Sequence, residues 1–299
     1  MSVVLAHLGG PVFAPAQVVV PAIVGVLYAR RVRTLAGTAR AVPGWRQACF
    51  MGGLATIVIT LTSPVGHVAD ELFWVHMAEH LPIADLAALL LVLGMTGPLL
   101  APALRVPWLG WLRVFTHPLV ALPLWALDLY VWHTRVLYEA AIEHAWVHAL
   151  EHAMFVGFGV AMWMALLGPL PRPAWFGNLA KLLYILGVRL LGAVLANVLV
   201  WSGEPIYPHY AAGERIWHLK PITDQITGGA IMMIEGSIVT VCLFGWLFVR
   251  AAREGEERQE LLDLADRRGV ALDERRAARA VAAGRGAELR ERIERQAVV

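Results

Sequence analysis

Seven long apolar stretches constrain this chain more than any other feature. A run of about 20 such residues can cross roughly 30 Å of hydrocarbon only as a helix, which closes its backbone hydrogen bonds internally. The stretches run approximately from Pro11 to Tyr28, Gln47 to Pro64, Ala69 to Leu100, Leu112 to His133, His144 to Leu167, Leu179 to Trp201 and Asp224 to Val249. With 58% hydrophobic and 16% charged residues in 299, the chain has too little polar surface for a water-soluble domain. The expected fold is all-α: a polytopic membrane bundle of seven transmembrane helices over residues 1–250, followed by a charged helical tail over residues 251–299. Arg250 to Val299 carries 12 Arg and 11 acidic residues, many three or four apart, the pattern of solvated helices.

Cytoplasmic loops collect Lys and Arg, and that rule fixes an orientation. Arg30, Arg31, Arg33, Arg40 and Arg46 fall in the first loop, Arg105 and Arg113 in the third, Arg172 and Lys181 in the fifth, with the arginine-rich tail on the same side. Only Arg135, Arg215 and Lys220 fall opposite. The expectation is a multi-pass protein of the plasma (cytoplasmic) membrane with its N-terminus outside and its tail cytoplasmic. No cationic region precedes the first apolar run, so that run is expected to stay as a span rather than be removed as a signal peptide. A net charge of +2 without a basic, aromatic-laced stripe excludes nucleic acid as a partner. Cys49 and Cys242 lie in apolar runs with no CxxC and read as structural thiols.

On this topology the 11 histidines are not scattered. His7, His67, His76, His80, His133, His144, His148, His152, His209 and His218 fall outside or in the outer halves of spans, and only His117 lies near a cytoplasmic end. Imidazole is costly in lipid unless it meets a partner, so the concentration needs a cause. In HMAEH, His76 and His80 are four apart; in HAWVHALEH, His144, His148 and His152 follow at the same interval. Residues four apart share a helix face, and two imidazoles one turn apart reach one metal ion at about 2 Å. The expected metal ligands are His76, His80, His148 and His152, joined by His133 at the outer end of the fourth span.

Met77, Met154, Met232 and Met233 lie on outer portions of spans, and thioether beside imidazole favours copper, Cu(I) in particular. Glu79 and Glu151 each precede the second histidine of a pair, where a carboxylate can orient an imidazole or offset metal charge. Asp224 and Gln225 open the seventh stretch, where Asp can either cap that helix or support a metal site. Asp85, Asp128, Arg189 and Glu235 lie deeper and must pair or line a polar interior, an Arg189 bridge to Asp85 or Asp128 being one arrangement.

In this order, HMAEH, WHTRVLYEAA with His133, HALEHAMF, IYPHYA with Tyr207, Pro208 and Tyr210, and DQITGGAIMM with Asp224, Gln225, Gly228, Gly229 and Met232 resemble the CtaG family of seven-span cytochrome c oxidase assembly factors, associated with caa-type terminal oxidases. The resemblance covers most of the membrane domain and omits the tail. It implies a respiratory-chain assembly role with a terminal oxidase subunit as partner, and copper delivery as the role usually suggested. Arg135, where the family often has Pro two residues after the fourth-span histidine, and Glu235, where Pro or a small residue is common, depart from the pattern. The expectation is therefore a membrane-embedded, non-enzymatic factor that binds copper on its extracytoplasmic side. Two alternatives remain open: a haem-binding redox membrane protein with axial histidines, and a zinc membrane metallopeptidase, since HMAEH and HALEH both read H-x-x-E-H.

Overall fold

A computed structural model describes residues 15–296. His7 and the start of the first apolar stretch, from Pro11, lie outside the described residues. Every regular element among the described residues is helical. The chain divides into two compact units, Met1–Ile238 and Val239–Val299.

In the first unit, α1 (Pro15–Leu35) and α2 (Gly44–Leu61) are joined by a turn, and a short α3 (Gly66–Ala69) leads into α4 (Phe73–Leu81). A π-helical turn over Pro82–Ala87 continues α4 into α5 (Ala88–Gly94). Pro82 explains that turn: it has no N–H to donate, and its ring pushes away the carbonyl one turn back, so the ladder widens rather than ends. Then follow α6 (Gly97–Leu104), a 3-10 run over Pro107–Thr116, α7 (Pro118–Trp132), α8 (Arg135–Glu143), α9 (Ala145–Leu167) and α10 (Asn178–Trp201). A 3-10 turn at Pro208–Tyr210 and α11 (Ala211–Ile216) lead to α12 (Pro221–Arg267).

Among the described residues, four helical segments are long and apolar enough to cross a membrane: Phe73–Gly94, Ala145–Leu167, Asn178–Trp201 and Pro221–Arg267. A fifth arises if Gly110–Thr116 and Pro118–Trp132, bent by 75°, count as one broken span. The chain is thus a helical membrane protein. The apolar stretches at Pro11 to Tyr28 and Gln47 to Pro64 coincide with α1 and α2, which are diluted by polar ends: Arg30, Arg31 and Arg33 in α1, Arg46 and Gln47 in α2. Exposed apolar faces fit lipid as solvent. On α10, Leu179, Leu183, Leu186, Leu190, Val194 and Val198 are all exposed at intervals of three or four, one continuous stripe.

Packing centres on α9, which lies against α7, α8, the π-turn and α5. Gly159 permits the closest of these approaches, since a Cβ there would sit 2.5 Å from the Ala84 carbonyl. Further along, Tyr28 stacks on Phe50 at 3.8 Å and its hydroxyl donates to the Gly94 carbonyl, tying α1, α2 and α5 together. Arg46 donates to the Leu93 and Met95 carbonyls, each at 2.9 Å, and so satisfies acceptors left free where α5 ends.

The second unit has a core of its own. The distal part of α12 packs with α13 (Glu274–Ala282) and α14 (Gly286–Gln296) through Leu261, Ala265, Val281, Leu289 and Ile293. Arg290 to Glu260 (2.6 Å) and Arg258 to Glu274 (3.4 Å) link its surface.

Candidate metal centre

Helices α4 and α9 bring the two histidine pairs together. His76 and His80 project from α4, with ring centroids 4.2 Å apart, and His148 and His152 from α9, 4.3 Å apart. Across the helix boundary His80 Nε2 stands 3.3 Å from His148 Nε2 and 3.1 Å from His152 Nε2. His76 stacks on His148 with centroids 5.5 Å apart. The Glu151 carboxylate, also on α9, lies 3.9 Å from His80 Nδ1 and 3.9 Å from His148 Nε2. One ligand atom each from His76, His80, His148 and Glu151 falls within 4.8 Å of the others. His76, His80 and Glu151 are buried, at 2%, 5% and 1% exposure, while His148 keeps an opening to the surface.

Hydrogen bonding alone does not account for this convergence. An imidazole nitrogen has a single in-plane lobe, either a lone pair or an N–H, so His80 Nε2 cannot make two linear bonds to two other ring nitrogens. A metal ion resolves the conflict: nitrogens bound at about 2.0–2.1 Å in a tetrahedron stand roughly 3.3 Å apart, close to the observed separations. Glu151 Oε2 and His80 Nδ1 are buried without a hydrogen-bond partner, and leaving such atoms unpaired costs about 1–3 kcal/mol each. The donor set fits a small cation bound by imidazole nitrogen and carboxylate oxygen.

His133 stands beside this group rather than within it. It follows the last residue of α7, and its Nδ1 donates to the Leu129 carbonyl at 2.7 Å. That bond fixes the tautomer and leaves Nε2 a bare acceptor, which is buried and unpartnered. Its ring neighbours are Tyr138 (6.4 Å) and Phe155 (6.3 Å), which also border His76 and His80 respectively.

The supporting residues divide. Glu151 is in the cluster; Glu79 is half-buried and outside it. Met77 and Met232 pack into an aromatic core with Phe73, Tyr138, Tyr207 and Tyr210, and Met154 packs against Trp132, Val147 and Phe155. None of the three belongs to the group of ligand atoms around His80. Asp224 caps a helix, but not its own: its carboxylate accepts from the Phe73 and Trp74 N–H groups, each at 2.9 Å, at the start of α4. Gln225 holds the loop after α10, donating to the Leu199 carbonyl and Ser202 Oγ and accepting from Ile206 N–H. Both residues act by aiming α4 and closing the loop above it. Gly228 completes this clamp, since any Cβ there would collide with the Phe73 ring.

Tyr138 was not singled out by spacing. It sits on α8 at 1% exposure, stacks on Tyr207 at 4.0 Å, shares a 2.7 Å hydrogen bond with Tyr210 and borders His76 at 5.3 Å. Burial raises its hydroxyl well above the ordinary tyrosine range, so it stays protonated. Its only signal is its place in WHTRVLYEAA, five residues after His133. Deeper in the unit, Arg189 donates to Ser237 Oγ at 2.9 Å, and among the described residues it forms no ion pair with Asp85 or Asp128.

Fold and site together define a helical membrane protein with a buried histidine–glutamate cluster. The chain belongs to the cytochrome c oxidase caa3 assembly factor family (Caa3_CtaG), whose model matches residues 26–254. It is similar to uncharacterised proteins of Mycobacterium bovis and Mycobacterium tuberculosis, each 26% identical over 248 residues that cover 75% of this chain and 37% of the relative. A Mycobacterium leprae protein is 24% identical over 229 residues, covering 71% and 35%. The chain spans little more than a third of the length of these curated relatives. No solved structure matches it.

Proposed function

We propose that the chain is a seven-span, non-enzymatic assembly factor of the cytoplasmic membrane that takes up copper on the extracytoplasmic side and passes it to a terminal oxidase subunit. In this reading His76, His80, His148 and His152 supply imidazole ligands, Glu151 supplies carboxylate oxygen and negative charge, and His133 waits beside them as a transfer ligand. The observation that carries it is the meeting of three Nε2 atoms, from His80, His148 and His152, at 3.1 and 3.3 Å. Copper suits a set dominated by imidazole, near the top of the divalent affinity order. Release is by ligand exchange, which an opening at His148 permits.

The test is elemental analysis of protein purified in mild detergent from copper-replete cells. About one copper per chain is expected, falling to background in the His76→Ala/His80→Ala and His148→Ala/His152→Ala double variants. Metal-free wild-type protein under those conditions would end the proposal.

One observation supports a second reading. Glu151 lies beside the His80 and His148 rings, and its own HALEH is an H-x-x-E-H segment of the kind in which a zinc peptidase's glutamate activates a metal-bound water. At 3.9 Å from both rings, however, the carboxylate is placed as a ligand or counter-charge rather than behind a zinc-bound water. Glu151→Gln abolishing a measurable peptidase activity while zinc stays bound would favour the enzyme. Haem fits less well, because ring nitrogens this close leave no slot for a flat macrocycle between them.

A further inference from the structure

The second unit carries a group of arginines that its own packing leaves without counter-charge. Arg275, Arg276 and Arg279 on α13 and Arg285 in the turn before α14 are all exposed. The unit's ion pairs go elsewhere: Arg250 meets Glu254 at 2.8 Å, Arg258 meets Glu274 at 3.4 Å and Arg290 meets Glu260 at 2.6 Å. Six acidic residues stand between Glu254 and Asp266 on α12, yet among the described residues none of the four arginines forms an ion pair with any of them. Helix stability does not explain the arrangement. Arg275 and Arg276 stand in the first turn of α13, where the helix dipole disfavours a cation, and Arg275 and Arg279 are like charges four apart. Both effects weaken a helix of nine residues, already marginal by length. An anion brought to this face offsets both.

Geometry within the unit says where that anion lies. Phe244, Trp246 and Phe248 are exposed at the end of the apolar part of α12, and the Arg250 guanidinium stands 5.6 Å from the Trp246 ring, the aromatic and basic pairing of a membrane–water interface. Beyond it, Arg258 holds Glu274 at the start of α13, and Gly286, at the start of α14, sits so close to Glu257 that any Cβ would collide. Glu257 and Arg258 follow Arg250 by about two turns of helix, a rise of roughly 10–12 Å. Arg275, Arg276 and Arg285 are chain neighbours of Glu274 and Gly286, so they stand at that height above the interface. The headgroup layer fills about 5–7 Å outside the hydrocarbon, and its field reaches about 8 Å further at physiological ionic strength. We propose that Arg275, Arg276, Arg279 and Arg285 form a docking face for anionic phospholipid headgroups, which fastens the tail to the membrane surface where α12 emerges. The proposal does not rest on the copper reading above.

The test is limited proteolysis of full-length protein in lipid nanodiscs by thermolysin, which cuts beside apolar residues and so at sites that arginine substitutions leave intact. Tail cleavage is expected to be about tenfold slower in discs containing phosphatidylglycerol than in discs of phosphatidylcholine alone, because several arginines near an anionic surface act together. High salt should abolish the difference. The combined Arg275→Gln, Arg276→Gln, Arg279→Gln and Arg285→Gln variant should lose it too, while matching wild type in phosphatidylcholine, where the tail core alone sets the rate. Lysine at the same four positions should keep it. The salt series on wild-type protein reads the same charge dependence should the glutamine variant misfold. Equal cleavage of wild type in the two discs, protection that persists at high salt, or protection that survives in a folded glutamine variant each overturns the proposal. So does equal protection by inorganic phosphate in phosphatidylcholine discs, which would assign the face to soluble anions.

Discussion

The two nitrogens of His80 face different chemistry, Nε2 toward His148 and His152 and Nδ1 toward Glu151. Both His80 and His148 touch every other member of the cluster, but His80 is buried, whereas His148 lies at the edge, with about a quarter of its side chain exposed. The two should therefore differ when truncated. His80→Ala is expected to weaken copper binding by a hundredfold or more, and His148→Ala by about tenfold with faster release, both read by chelator competition and its time course. The spacing of four residues within each pair was legible because it depends only on helix geometry. The unequal fates of Glu79 and Glu151 were not, although both stand in the same H-x-x-E-H pattern. Each lies about 100° round its helix from the next histidine, and which side of an interface that turns toward is decided by the facing helix. Met77 shows the same limit: one position from His76 is enough to carry its sulfur into the aromatic core.

Helix α4 owes its aim to residues distant in sequence. Asp224 accepts two N–H groups from its first turn across an interval of about 150 residues. Local rules would have Asp224 serve the helix it opens, and the preference for capping was readable while the identity of the capped helix was not. Asp224→Ala is expected to lower stability by about 1 kcal/mol, within the usual range for a lost cap. It should also loosen copper binding, which Asp224→Asn, retaining acceptor and donor atoms, should partly restore; thermal unfolding and metal retention on the same samples measure both. Gly228→Ala drives a methyl into Phe73, which is buried and stacked on Tyr207, and should cost about 1–3 kcal/mol as overpacking. The π-turn after His80 was written in Pro82, yet a proline reads equally as a kink or a stop. The stretch predicted as one span from Ala69 to Leu100 is one continuous helical segment of α4, the π-turn and α5, shorter at both ends, Phe73–Gly94, with α6 beginning afresh at Gly97.

At the scale of the whole molecule, hydropathy made the helical membrane class plain, and the tail's charge pattern made its helices plain. It did not reveal the small core that those tail helices share, because Ala265, Val281 and Leu289 are too sparse to register in a window of mostly charged residues. Leu261, with no exposure, anchors that core, and Leu261→Ala should destabilise the tail by about 2–5 kcal/mol, seen as faster limited proteolysis with copper content unchanged. Sidedness is the remaining molecular property on which the function depends, since a copper site delivers to the compartment it opens to. The arginine distribution makes a definite prediction. In a chain with Cys49 and Cys242 replaced, Arg135→Cys, at the exposed start of α8 near the histidine cluster, should react with a membrane-impermeant maleimide in intact cells. Arg105→Cys, at the end of α6, should react only after lysis. Seven crossings with an outer N-terminus require that pair of results, because three crossings separate the Arg135 loop from the tail and four separate the Arg105 loop from it. Labelling of Arg105→Cys in intact cells, with Arg135→Cys protected, would place His148 and its opening on the cytoplasmic side, and copper would then have to be drawn from the cytoplasm rather than from outside.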